Sequence, residues 1–110
     1  MSAPPLPQPR LRLPRQVRPG EAFEVRTLIQ HPMETGLRQE GGRIIPRDML
    51  RRLTVLVNGE VALEAALHNG TAANPFHVFH LRLERSSDLT FIWEDEQGRR
   101  ASLTQRVLVG

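Results

Sequence analysis

The sequence predicts an all-β chain, an antiparallel β-sandwich of about seven strands. Three observations carry this reading. Apolar and polar residues alternate at period two over most of the chain. Turn signals recur at short intervals: Pro19-Gly20, Asn58-Gly59, Asn69-Gly70, Ser86-Ser87-Asp88 and Gly98. No βαβ alternation and no internal repeat intervene.

The elements follow in order. Leu11 and Leu13 alternate with Arg10 and Arg12 as a short first strand. Phe23, Val25, Thr27 and Ile29 point one way, with Glu24, Arg26 and Gln30 opposite. Leu53, Val55 and Val57 repeat the pattern, and Asn58-Gly59 suits a two-residue hairpin turn that needs positive φ. Val61, Leu63, Ala65 and Leu67 form the returning strand. Phe79, Leu81 and Leu83 alternate with His80, Arg82 and Glu84; Leu89, Phe91 and Trp93 alternate with Thr90, Ile92 and Glu94. Ala101, Leu103 and Val107 share one face of the last strand. The one long connection runs from His31 to Leu50, and Pro46–Leu50 suits a single helical turn with proline at its start. Leu28, Leu56, Ile92 and Leu108 fall on the polar side of their strands. They read either as partial burial under loops or as one patch covered by another chain.

At 110 residues the chain fits one domain, residues 10–110, behind a proline-rich tail, residues 1–9. Six of the nine prolines lie in the first nineteen residues, which favours an extended lead segment. No apolar run approaches the roughly 18–20 residues of a membrane span. The absence of Cys excludes disulfides, iron–sulfur clusters, thiolate zinc and a cysteine nucleophile. Fifteen basic residues, all Arg, stand against twelve acidic ones and are scattered, which argues against a nucleic-acid partner. Residues 1–15 lack the apolar core of an export signal, which by itself suggests the cytoplasm.

Candidate chemistry is sparse. The histidines are His31, His68, His77 and His80. His77 and His80, three apart on a strand, point to opposite faces and cannot chelate as they would on a helix. A mononuclear metal site built from His31, His68 and His80 is the enzyme-class alternative. None of the serines sits in a nucleophile elbow. Glu94-Asp95-Glu96 reads as a solvated run, Gly41-Gly42 lacks the setting of a phosphate cradle, and Asn69-Gly70-Thr71 fits a glycosylation sequon. No cofactor is expected. Two segments stand out: His31-Pro32-Met33-Glu34-Thr35-Gly36 and Asn74-Pro75-Phe76. Their residue types fit loop-locking, with Met33 either tucked under the sandwich end or offered to a partner.

These two segments also carry a resemblance. HPMETG at His31–Gly36, a Gly-rich stretch, IIP at Ile44–Pro46, the Asn58-Gly59 turn, NPF at Asn74–Phe76, Trp93 and the Gly98 turn together resemble the SoxZ family. SoxZ is the small subunit of the SoxYZ sulfur carrier, and the likeness runs from about Leu11 to Val109. The resemblance implies an immunoglobulin-like sandwich that is not an enzyme and pairs with SoxY as a heterodimer. SoxY would carry thiosulfate-derived sulfur on a cysteine in its C-terminal arm, between Sox enzymes that dock transiently. It also implies the periplasm, reached with a signal-bearing partner. On this reading Leu28, Leu56, Ile92 and Leu108 face SoxY. The segments His31–Gly36 and Asn74–Phe76 dock the arm or the client enzymes, and Arg38, Arg43 and Arg47 attract the anionic adduct or an acidic client surface. A SoxYZ-like carrier subunit of another periplasmic oxidation pathway is the binding-class alternative.

Overall fold

The computed structural model describes residues 6–31, 33–67, 73 and 75–110. Among the described residues ten strands are formed: β1 (Arg10–Arg12), β2 (Gln16–Val17), β3 (Phe23–Leu28), β4 (Gln39–Glu40), β5 (Arg43–Ile44), β6 (Leu50–Val57), β7 (Glu60–Ala66), β8 (Phe76–Leu81), β9 (Ser87–Asp95) and β10 (Arg100–Val109). One sheet has the order β1-β3-β8, the other β2-β10-β9-β6-β7, and β4 and β5 form a separate hairpin. The seven strands expected from periodicity are present, and the chain is a β-sandwich.

The alternation in the sequence decides which side chains go inside. Phe23 and Val25 of β3, Leu53 and Val55 of β6, Leu89, Phe91 and Trp93 of β9 and Val107 of β10 are all buried. The two sheets meet through aromatic contacts. Phe79 of β8 lies tilted against Phe91 (centroids 6.4 Å apart), and Phe91 stacks on Trp93 (6.3 Å). Burying such side chains supplies most of the driving force, at about 1.5–3 kcal/mol each.

One expectation needs correction, the helical turn at Pro46–Leu50, and three details add to the rest. The sandwich is not wholly antiparallel: β2 runs parallel to β10, with Leu108 opposite Gln16 and Val109 opposite Val17. Pro14, which has no N–H to give a ladder, lies where the chain leaves β1's sheet for the other. The tail is partly packed, since Leu6 and Pro9 are buried and Leu6 joins the core. Pro46–Leu50 forms no helical turn; Asp48 bridges to Glu34 and Leu50 already belongs to β6. Val61 faces outward because the register slips at Val55/Leu56 and pairs it with Leu56 on the outer face.

Candidate functional site

The HPMETG segment begins where β3 ends. Ile29 gives its N–H to the Pro75 carbonyl (3.3 Å), and Leu28 lies opposite Phe76. The two segments singled out in the sequence therefore adjoin at one end of the sandwich. Pro32 and Asn74 lie outside the described residues.

His31 is buried, 2% exposed. Its Nδ1 accepts the Met33 N–H (3.1 Å), so a neutral ring carries its proton on Nε2, which lies 3.3 Å from Asp48 Oδ1. Met33 takes a left-handed φ of 53°, uncommon for a residue with a side chain. That conformation comes with an N–H on His31 and a buried thioether whose sulfur accepts the Leu50 N–H (3.4 Å). Of the two options for Met33, the structure shows the tucked one. Burial holds the His31 pKa below its ordinary value near 6.5, against the upward pull of Asp48.

The segment is fastened on both sides. Glu34 and Asp48 exchange backbone hydrogen bonds of 2.8 Å each. Arg38 donates to Glu34 (2.6 Å) and Glu40 (3.0 Å), and the bond from Arg38 holds the Glu34 carboxyl below its usual range. Arg47 pairs with Glu96 (2.9 Å) and donates to the Thr35 carbonyl (3.1 Å). Gly36 sits at φ 86°, and a Cβ there would come within 3.3 Å of Arg47 Cβ, so only glycine fits easily.

Beneath this lies a charged cluster. Asp95 is buried at the end of β9 and accepts the backbone N–H groups of Gln97 (3.0 Å) and Arg99 (2.7 Å). The Arg99 guanidinium bonds Asp95 through Nε and donates to Asp48 Oδ1 (2.7 Å). The expected solvated carboxylate run is thus corrected at its middle residue: Asp95 is a buried, paired anchor. Asp48, Asp95 and Arg99 were missed as site residues. The signal was available, because period two places Asp95 on the inner face with Leu89, Phe91 and Trp93.

Ligand atoms of His31, Asp48 and Asp95 lie within 4.8 Å of one another, a spacing that suits a metal ion. The donor set does not. Arg99 already supplies the positive charge between the two carboxylates, and His31 Nδ1 is spent on Met33. The His31/His68/His80 set is also not assembled. His80 pairs with Glu24 near the start of β3, whereas His31 follows its end, roughly 20 Å away at ~3.3 Å per residue. His68 lies outside the described residues.

The model of "Sulphur oxidation protein SoxZ" matches residues 11–106. The chain belongs to the SoxZ family. No curated protein sequence matches it. Among solved structures it is similar to the superoxide reductase (neelaredoxin) of Ignicoccus hospitalis, at 20% identity and TM-score 0.71, covering 96% of this chain and 82% of that one. It is also similar to a superoxide reductase, so described provisionally, of Thermotoga maritima (13%, TM-score 0.72, 93% and 85%). The sulfur carrier protein SoxY of Chlorobium limicola f thiosulfatophilum is a further structural relative (10%, TM-score 0.64, 92% and 74%). At these identities the structural likeness shows the fold alone.

On this SoxZ-family sandwich the four off-pattern residues do not make one patch. Leu28 lies on the outer face of the three-stranded sheet beside Phe76, which is 56% exposed. Leu56, Ile92 and Leu108 lie on the outer face of the five-stranded sheet. They separate because β3 belongs to the opposite layer. Thr35 and Gly36 are half-buried, and Pro75 is buried. Arg43 is exposed on the β4–β5 hairpin, while Arg38 and Arg47 are committed to carboxylates.

Proposed function

We propose that this chain is the non-catalytic scaffold subunit of a SoxYZ-type carrier. It pairs as a heterodimer with a SoxY-type chain, whose C-terminal cysteine carries thiosulfate-derived sulfur between enzymes that dock in turn. The observation that supports this best is the closed HPMETG cluster. Its His, Met, Asp and Arg side chains are turned inward and bonded to one another and to backbone. Such a cluster holds shape; it offers no free base or open coordination position. What the family motif gives the protein is a rigid end on which a partner's mobile arm can be presented, and a tethered arm raises the effective concentration of its cargo at each enzyme.

Work in the periplasm, reached with the partner, follows from the same reading. Leu28 with Phe76, and Leu56 with Ile92 and Leu108, lie on the outer faces, half-buried or exposed, and are assigned here to protein contacts. The segments His31–Gly36 and Asn74–Phe76 then act as the support beneath a docking surface.

Sedimentation of the chain mixed with a SoxY-type chain from the same organism tests this. A 1:1 complex that accepts a sulfur adduct from thiosulfate on the partner's cysteine is the expected result. Two separate species would overturn it. A 1:1 complex loaded from a different oxidised substrate would favour a carrier subunit of another pathway.

A further inference from the structure

The three-stranded sheet ends at β8, and no described strand pairs with the far edge of β8. The bond from Ile29 N–H to the Pro75 carbonyl fixes the phase of the ladder, since 29 and 75 are in register with Leu28 and Phe76. In an antiparallel pair, hydrogen-bonded and non-hydrogen-bonded positions alternate. His77, Phe79 and Leu81 therefore turn their backbone groups toward β3. Phe76, Val78 and His80 turn theirs to the open edge.

Their side chains are outside as well. Phe76 is 56% and Val78 47% exposed, and His80 is exposed. Natural edge strands are usually blunted by bulges, Pro or inward-pointing charges. The edge strands of the two sheets differ here. β7, one edge of the other sheet, carries Glu60 and Glu64 and a register slip against β6. β8 has no such device between Phe76 and Leu81.

The charge on the two outer faces differs in the same direction. On the five-stranded sheet Arg52 bonds Glu64 and Glu94, Arg100 bonds Glu94, and Arg106 bonds Asp88. On the three-stranded sheet the outward cross-strand rows are Arg10–Leu28–Phe76, Arg12–Arg26–Val78 and Glu24–His80, the one carboxylate among them, Glu24, being paired with Arg26. Arg26 bonds Glu24, but Arg10 and Arg12 make no ion pair among the described residues. The face is thus apolar beside the edge and positively charged beyond it.

We infer that the open edge of β8 takes an extended segment of the SoxY-type partner by strand addition. The segment pairs with the backbone of Phe76, Val78 and His80, lays apolar side chains along Phe76 and Val78, and brings acidic residues over the Arg10/Arg12 rows. The inference rests on the carrier-subunit reading above and assigns the partner's place on it.

Val78→Pro is the direct test, because it removes an outward N–H without touching the pairing to β3. Affinity for the SoxY-type chain of the same organism is measured alongside circular dichroism. The expected result is an unchanged fold with binding weakened about tenfold or more. Should Val78→Pro fail to fold, the surface pair Arg10→Glu with Arg12→Glu decides. Its expected result is weaker binding with a flattened salt dependence. Folded variants that bind with wild-type affinity and salt dependence overturn the assignment to β8. If Ile92→Glu on the other sheet then abolishes binding, the partner sits there and the carrier reading stands. If the unmodified chain binds no SoxY-type chain at all, the carrier reading itself fails.

Discussion

Arg99 ties the HPMETG end to the sheet, since its guanidinium joins Asp95 on β9 to Asp48 beside the motif. Removing it leaves the Asp95 carboxylate buried without its counter-ion, a loss of about 3–5 kcal/mol. Urea unfolding of Arg99→Ala should show a drop of that size, with Arg106→Ala, an exposed pair, losing under ~1 kcal/mol. His31 gives the site its pH dependence. Burial holds both His31 and His77 below their ordinary value near 6.5. As the pH falls through that value the unfolded chain binds protons that the folded chain does not, so stability is full above it and declines below. Protonation of His31 would also put a hydrogen on Nδ1, against the Met33 N–H. The urea midpoint is expected to fall between pH 7.5 and 5.5, and to fall less in His77→Gln. His31 was legible in the sequence as a loop-locking residue. Its partners were not, because Asp48 and Arg99 are distant in sequence and their meeting is a product of the fold.

Among the elements, the long strands were legible because six or more alternating residues leave a clear period. β2, β4 and β5 were not, because two residues carry no period. The expected twenty-residue loop is instead a β-hairpin extension, closed by Glu34–Asp48 and by Ile45 N–H to the Arg38 carbonyl (2.8 Å). The Asn58-Gly59 turn was read correctly, with φ of 50° and 84°. The reading missed that Asn58 also ties the hairpin to β9. Its Oδ1 accepts the Asp88 N–H (2.9 Å) and its Nδ2 donates to Ser87 Oγ (3.2 Å). Gly59→Ala forces a Cβ into a left-handed residue and should cost about 1 kcal/mol. Asn58→Ala loses both the turn preference and these bonds, so its Tm should fall further than that of Gly59→Ala in paired thermal melts.

At the scale of the whole molecule, the sandwich presents two unlike outer faces. One has its charges paired across Arg52, Glu94 and Arg100 around Leu56 and Ile92. The other joins Leu28, Phe76 and Val78 to Arg10 and Arg12, which make no ion pair among the described residues. Sequence periodicity marks residues as off-pattern but cannot say which sheet holds them, so it left partial burial and a single patch both open, and the fold divides the four between two faces. A fold shared with superoxide reductases and with SoxY carries no chemistry by itself. On the proposed reading, function depends on what the surface binds, and the described side chains of the motif end are bonded to one another. The most direct measurement is co-purification from the source organism, with intact-mass analysis of the companion. The expected result is a 1:1 companion bearing a cysteine near its C-terminus, with sulfur-adduct masses on that cysteine. A chain recovered alone from an extract that contains a SoxY-type protein would contradict the account.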